Sequence, residues 1–274
     1  MLISIGELLK NSWQFFRQNI RMVIKYALLS LVPLVIGFAG VVIFLPFSTA
    51  LISGQDSTLI IVFGIIGLLF ALAISYLSLW FNFAYVHAVH SKLTNNLDEN
   101  IRLSTTATHP YVWRGFIGMI ISGVYIAAPF LISLVLIGLS SALNLSAHGL
   151  IGNIISKLII LVAIYGFFHA IYYSIRLNLF IYEIVLQGKK IKPAILHSFA
   201  LVKGRWWSFF IRIFVLVLIL ATLSNILGQI GSIIGKNEII TFIYSAIIFT
   251  INLILSQIAS IYTILIYKSA GERQ

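Results

Sequence analysis

Six apolar runs, each long enough to cross a lipid bilayer, take up most of this chain of 274 residues. They fall near residues 26–47, 59–86, 116–139, 158–175, 209–230 and 239–267. A spanning helix needs about 20 predominantly apolar residues, because the hydrocarbon core is about 30 Å thick. Inside that core an unpaired backbone N–H or C=O is so costly that only helices and closed barrels cross it. The runs are continuously apolar and do not alternate as barrel strands do, so helices are expected. The predicted fold is an all-α integral membrane protein with about six transmembrane helices.

Charge patterning supports the same reading. Only 9% of the residues are charged, whereas a soluble domain carries about 25%. The formal net charge of +11 would point to nucleic acid in a soluble protein. Here the basic residues gather between the apolar runs, so membrane lipids with anionic headgroups are the expected partners and nucleic acid is not. The absence of cysteine excludes disulfides and thiolate metal sites. The first strongly apolar run begins near Tyr26, after an amphipathic stretch. That is unlike the short charged start and brief apolar core of a cleaved signal, so the stretch is expected to stay.

Lys and Arg also orient the chain. One side holds Lys10, Arg17, Arg21, Lys25, Lys92, Arg102, Arg114, Lys189, Lys190, Lys192, Lys203, Arg205, Arg212, Lys268 and Arg273. The other side holds Lys157 and Lys236. The positive side is expected to be cytoplasmic, with both termini inside the cell membrane and short outer loops around Gln55, Asn144 and Asn237.

Residues 1–25 read as an amphipathic cytoplasmic segment, helical over 3–21. Ile5, Leu9, Trp13, Phe16 and Ile20 recur on one face, and Glu7, Lys10, Gln14, Arg17 and Arg21 on the other, the pattern of a helix lying among headgroups. The segment 193–203 repeats the idea, with Pro193 in the first turn and Ile195, Phe199 and Val202 on one face. Ser12-Trp13-Gln14-Phe15-Phe16-Arg17 matches Ser198-Phe199-Ala200-Leu201-Val202-Lys203 in character, and an apolar run follows each. The stretch 109–114, interrupted by Pro110, is a weaker middle copy. The chain therefore reads as one polytopic domain, 1–274, of three helical hairpins, each preceded by an interfacial cytoplasmic helix.

The pattern Arg176…Glu183…Ala194…Ser198…Lys203-Gly204-Arg205-Trp206-Trp207 resembles the membrane domain fused to some bacterial glycerophosphoryl diester phosphodiesterases, and related uncharacterised six-span bacterial membrane proteins. The resemblance is clearest over residues 170–215. It implies a fold and not an activity. The family's catalytic domain opens with a His-Arg-Gly motif that this sequence does not contain.

Candidate chemistry is sparse. Seven acidic residues serve the whole chain, and acid–base or metal-assisted hydrolysis needs carboxylates converging on one substrate. Asp98 and Glu99 sit in an Asn-rich stretch that reads as a solvated turn. His87 and His90 share a helix face but lack the further ligands that a metal requires. Gly231 and Gly235 form a small-residue pair. No phosphate-binding loop or nucleophile elbow occurs. His169, Arg176 and Glu183 are spaced by seven and read as one stripe on one helix. Such a stripe either lines a solute path or ends at a snorkelling Arg176 beside the headgroups, with Glu183 paired to the basic segment around Lys203 and Arg205. Trp13, Arg17, Lys203, Arg205, Trp206 and Trp207 are the candidate lipid contacts at the inner boundary. The expected function is a non-enzymatic membrane protein, without cofactor or metal, that organises partners or lipid at the cytoplasmic face. The alternative is a transporter or channel for a small or lipid-like solute.

Overall fold

The computed structural model describes residues 2–52, 57–95, 97, 100–142, 149–233 and 238–271. The loops around Gln55, Asn144 and Asn237, the Asp98 and Glu99 pair, and Gly235 lie outside them. Among the described residues all regular structure is helical: α1 (Ile5–Gln18), α2 (Ile20–Ile52), α3 (Ser57–Asn95), α4 (Ile101–Ala142), α5 (Gly149–Leu177), α6 (Phe180–Gln187), α7 (Ile191–Val202), α8 (Trp206–Ile233) and α9 (Glu238–Gly271). Five stretches long and apolar enough to cross a bilayer lie in α2, α3, α4, α8 and α9, and a sixth runs through α5 into α6. This is the property of an integral, multi-pass membrane protein. Large apolar side chains along these stretches face outwards; Phe38 is 69% and Leu68 61% exposed. In water such a surface would drive association, whereas lipid tails solvate it.

The helices run past the limits expected from hydropathy, because i→i−4 bonding continues wherever side chains permit it. Most notably, α4 is unbroken from Ile101 to Ala142. The stretch 109–114, expected as a separate interfacial helix, is part of it. Pro110 removes one backbone donor and works against the helix by about 3 kcal/mol. Packing opposes that cost: Ser104, Thr108 and Val112 recur at one-turn spacing and are all buried. The Trp80 indole N–H donates to the Thr105 carbonyl at 3.0 Å, and its ring meets His109 at 5.1 Å.

The chain divides into two compact units, one of residues 1–113 with 211–274 and the other of residues 114–210. In the first, α1 packs on α9, and α2, α3 and α9 pack on one another. The α1 start is set by a capping box. Ser4 Oγ accepts from the Glu7 N–H, and the Glu7 carboxylate accepts from the Ser4 N–H and hydroxyl. Those Ser4 hydrogen bonds hold the Glu7 carboxyl below its ordinary value of 4.5. The Arg212 guanidinium donates twice to the Ile3 carbonyl, at 2.8 and 3.0 Å, and ties this terminus to α8. Further along, the Ser224 hydroxyl donates to Asn252 Oδ1 at 2.9 Å and joins α8 to α9. In the second unit α7 packs on both α5 and α6. Ser133 of α4 donates to the Val162 carbonyl of α5 at 3.1 Å. Beside it Gly166 lets the two helices meet, since a Cβ there would lie 2.8 Å from the Pro129 carbonyl oxygen.

The outer repeat holds residue by residue. Ile5 and Ile191 open α1 and α7, and Ile20 and Trp206 open α2 and α8, a shift of 186 positions in both cases. Leu8, Ser12, Phe15 and Phe16 are buried on α1; their counterparts Ala194, Ser198, Leu201 and Val202 are buried on α7. The face that packs on protein is not the apolar face named from the sequence. On α1 the packed stripe is Leu8, Ser12 and Phe15, while Trp13 is 53% exposed and Phe16 is buried beside the stripe. On α7 the packed stripe is Ala194, Ser198 and Leu201, with Ile195 and Phe199 only half-buried. Small residues bring a helix close to its neighbour, so the face carrying Ser or Ala is the one that packs on protein.

Candidate functional site

The residues expected to form one stripe lie in the second unit, and they do not share a helix. α5 stops at Leu177, and Glu183 belongs to α6. Asn178 and Leu179 form the turn between them, with the Asn178 N–H donating to the Ile175 carbonyl. Asn competes for backbone hydrogen bonds and so favours turns over helix interiors. The break leaves the Arg176 carbonyl without a partner along its own helix, and the Ser198 hydroxyl of α7 donates to it. One residue of the α7 stripe thus compensates for the interruption of α5.

Glu183 is fully buried. Gly188, with φ of 64°, ends α6 in the left-handed conformation that glycine tolerates best. The turn that follows carries Lys189 and α7 back over Glu183. Lys189 Nζ lies 2.7 Å from Glu183 Oε2, and His197 Nδ1 lies 2.8 Å from Oε1. Lys189 hydrogen-bonds Oε2, whereas the approach of His197 to Oε1 is a contact at ion-pair distance without hydrogen-bond geometry. The expected partners, Lys203 and Arg205, are not the ones used. Arg205 instead donates to the Leu201 carbonyl at 2.9 Å and lies 6.0 Å from the Phe209 ring, and Lys203 is exposed. The turn-forming Gly188 is the sequence signal that points to Lys189 and His197.

Arg176 is held by aromatic rings. Its guanidinium carbon lies 4.4 Å from the Phe199 ring centre and 5.3 Å from that of Tyr172, and it donates to the Tyr172 hydroxyl at 3.2 Å. Tyr172 is supported in turn by Trp206, which stacks on it at 5.7 Å and donates to its carbonyl at 3.2 Å. His169 is enclosed differently. Its ring lies 4.4 Å from Tyr173 and within 6 Å of Tyr125 and Tyr165, and its buried Nδ1 has no hydrogen-bond partner. Rings therefore link His169 to Arg176 through Tyr173 and Phe199, while Glu183 has its own cluster. Gly204, with φ of 73°, makes the turn into α8.

These contacts decide what a lysine at 176 achieves. A planar guanidinium stacks on Phe199 and hydrogen-bonds Tyr172 together; a compact ammonium does not do both. Arg176→Lys is expected to cost about 1–2 kcal/mol, the sum of a modest cation–π term and one hydrogen bond. The check is the unfolding midpoint in detergent. Equal stability of the variant and the wild type would show that only the charge matters there.

The candidate lipid contacts separate into two kinds. Trp13 and Trp207 are exposed, the latter at 69%, whereas Trp206 is a packing residue between Tyr172 and Phe210. Lys10, Trp13, Gln14 and Arg17 line an open cavity of about 520 Å³ on the outer side of α1. Among the described residues no three histidine or acidic side chains gather where they could hold a metal ion. Comparison of the chain with models of protein families, with curated proteins and with solved structures finds no match.

Proposed function

We propose that this chain is a non-enzymatic, multi-pass protein of the cell membrane that gathers anionic lipid at its cytoplasmic face. In this reading three helical hairpins cross the bilayer, both termini lie inside, and α1 and α7 lie at the inner headgroups before the first and third hairpins. The resemblance to the phosphodiesterase-associated membrane domain supports this layout. The observation that carries the function is the outer face of α1. Its other face is buried, yet Trp13 remains exposed between Lys10 and Arg17. An apolar ring between two cations suits the boundary between acyl chains and phosphates. Transport would need a continuous polar path, whereas His169 and Arg176 lie among aromatic rings and Glu183, on the next helix, is enclosed by Lys189 and His197.

Trp13 supplies the test. In nanodiscs, its fluorescence, isolated by difference from Trp13→Phe, is expected to be quenched by brominated phosphatidylglycerol more than by brominated phosphatidylcholine. Each basic residue near an anionic surface contributes about 1 kcal/mol. Lys10→Gln with Arg17→Gln should therefore remove about 2 kcal/mol, roughly a thirtyfold enrichment, and bring the two lipids level. Absence of quenching by either lipid would take α1 off the bilayer and end this reading.

A further inference from the structure

An open groove of about 570 Å³ lies wholly within the second unit. Ile121 and Val124 of α4, Leu177 of α5, and Ile195 and Phe199 of α7 give it an apolar lining. Ile121 and Val124 are exposed, so in a bilayer the groove opens onto acyl chains. Ser122 interrupts the apolar lining. It is only 5% exposed, and its hydroxyl has no hydrogen-bond partner. Other serines on the helices of this unit donate to a carbonyl of the preceding turn, as Ser133 does to Pro129 at 2.7 Å and Ser174 to Ile171 at 3.0 Å. A buried hydroxyl without a partner costs free energy, and a ligand that brings an acceptor recovers it.

Arg176 stands beside the same groove. It precedes Leu177 in the chain, and its guanidinium carbon lies 4.4 Å from the centre of the Phe199 ring. Among the described residues its partners are two rings and the Tyr172 hydroxyl, which leave its positive charge in place. Apolar walls, a hydroxyl donor and a cation match the acyl chain, the ester carbonyl and the phosphate of a glycerophospholipid. We propose that the groove binds one acyl chain of a membrane phospholipid, whose ester carbonyl accepts a hydrogen bond from Ser122 and whose phosphate meets Arg176. Ser122 turns into the groove by a change of rotamer, with no existing hydrogen bond to lose. A guanidinium fork suits phosphate oxygens, which accept charge-assisted hydrogen bonds. This site goes beyond the lipid attraction assigned to the outer face of α1, because it selects a covalent feature of the lipid. It rests on the reading that α7 and the end of α5 lie at the inner headgroups.

The experiment follows, by native mass spectrometry, the first lipid that the purified, delipidated full chain retains. The probes are diester phosphatidylglycerol, its diether analogue, which lacks the carbonyls, and diacylglycerol, which lacks the phosphate. The wild type is expected to favour diester over diether by roughly fivefold, the ratio that one net hydrogen bond supplies. Ser122→Ala should bring the two level and still fold, since it deletes a hydroxyl that has no partner in the chain. Arg176→Gln should abolish the preference for phosphatidylglycerol over diacylglycerol and keep the preference for the ester. Ile121→Trp, which fills the groove from its exposed wall, should lower retention of the diester by about tenfold. Equal retention of diester and diether by the wild type, or an ester preference that survives Ser122→Ala, overturns the proposal. Unchanged retention by Ile121→Trp does the same. Equal retention of phosphatidylglycerol and diacylglycerol by the wild type overturns the contact with Arg176. Lys10→Gln with Arg17→Gln is expected to leave the ester preference intact. An ester preference in a chain whose Trp13 is not quenched removes the α1 reading alone, and quenching of Trp13 without an ester preference removes the groove alone.

Discussion

Lys189→Met is expected to destabilise the protein by roughly 3 kcal/mol, near the lower end of the 3–5 kcal/mol measured when one partner of a buried ion pair is removed. The large effect comes from the residue left behind. Glu183 is fully buried, and without Lys189 one of its carboxylate oxygens loses a charged partner at 2.7 Å. Two features keep the cost from the upper end. Lys189 is 32% exposed, so its own desolvation is partial, and His197 remains 2.8 Å from the other oxygen. The measurement is the unfolding midpoint in mixed micelles titrated with SDS. Removing the whole cluster, as Glu183→Leu with Lys189→Met and His197→Leu, should recover most of the loss, because an apolar replacement leaves no orphan charge. A triple variant less stable than Lys189→Met would show that the cluster contributes net stability and not only mutual compensation.

Gly166→Ala is expected to cost about 1–3 kcal/mol, as overpacking in a close-packed interior does. Two effects compete. Alanine favours a helix over glycine by about 1 kcal/mol, which alone would stabilise α5. The new Cβ, however, would lie 2.6 Å from Ser133 Oγ and 2.8 Å from the Pro129 carbonyl oxygen. A serine hydroxyl can rotate away, but a helix carbonyl cannot, so α4 and α5 must separate and the Ser133–Val162 hydrogen bond must stretch. Gly123→Ala is the control. No heavy atom lies within 4 Å of a Cβ at that position, so the propensity term acts alone and the variant should be as stable as the wild type or more so. The same SDS titration reads both. Equal gains at the two positions would show that the α4–α5 contact is loose enough to absorb a methyl group.

Apolar length was enough to locate the spanning stretches, because a bilayer sets a minimum number of consecutive apolar residues that no tertiary contact alters. The outer repeat was legible for a related reason. Ser12 and Ser198 head similar patterns because each opens the same buried face, and similar environments select similar residue types. The middle copy misled because hydropathy and Pro110 both marked a boundary, while buried contacts of Ser104, Thr108 and Val112 carried the helix through it.

The site was less legible. A spacing of seven placed Glu183 under Arg176 only as long as the helix was continuous, and a two-residue turn removed that premise. Glu183 then found Lys189 and His197, which a helical wheel drawn on α5 cannot show. Arg176 is a half-buried charge held between the rings of Phe199 and Tyr172, which come from two different helices, and its spacing along the chain does not reveal that pairing.

What the sequence by itself determined is the class of the molecule: helical, with six stretches able to span a membrane, rich in cations between them, and repeated at its two ends. These follow from composition and period, which act on each segment through the solvent around it. What only the tertiary structure decided is which charges meet. Lys189, His197 and Glu183 close into one cluster through a glycine turn. Arg21, Lys25 and Lys92 face one cavity because α2 packs against α3. Electrostatic partners depend on distances of a few ångströms between segments far apart in the chain, and a linear pattern does not specify those distances until the helices are packed.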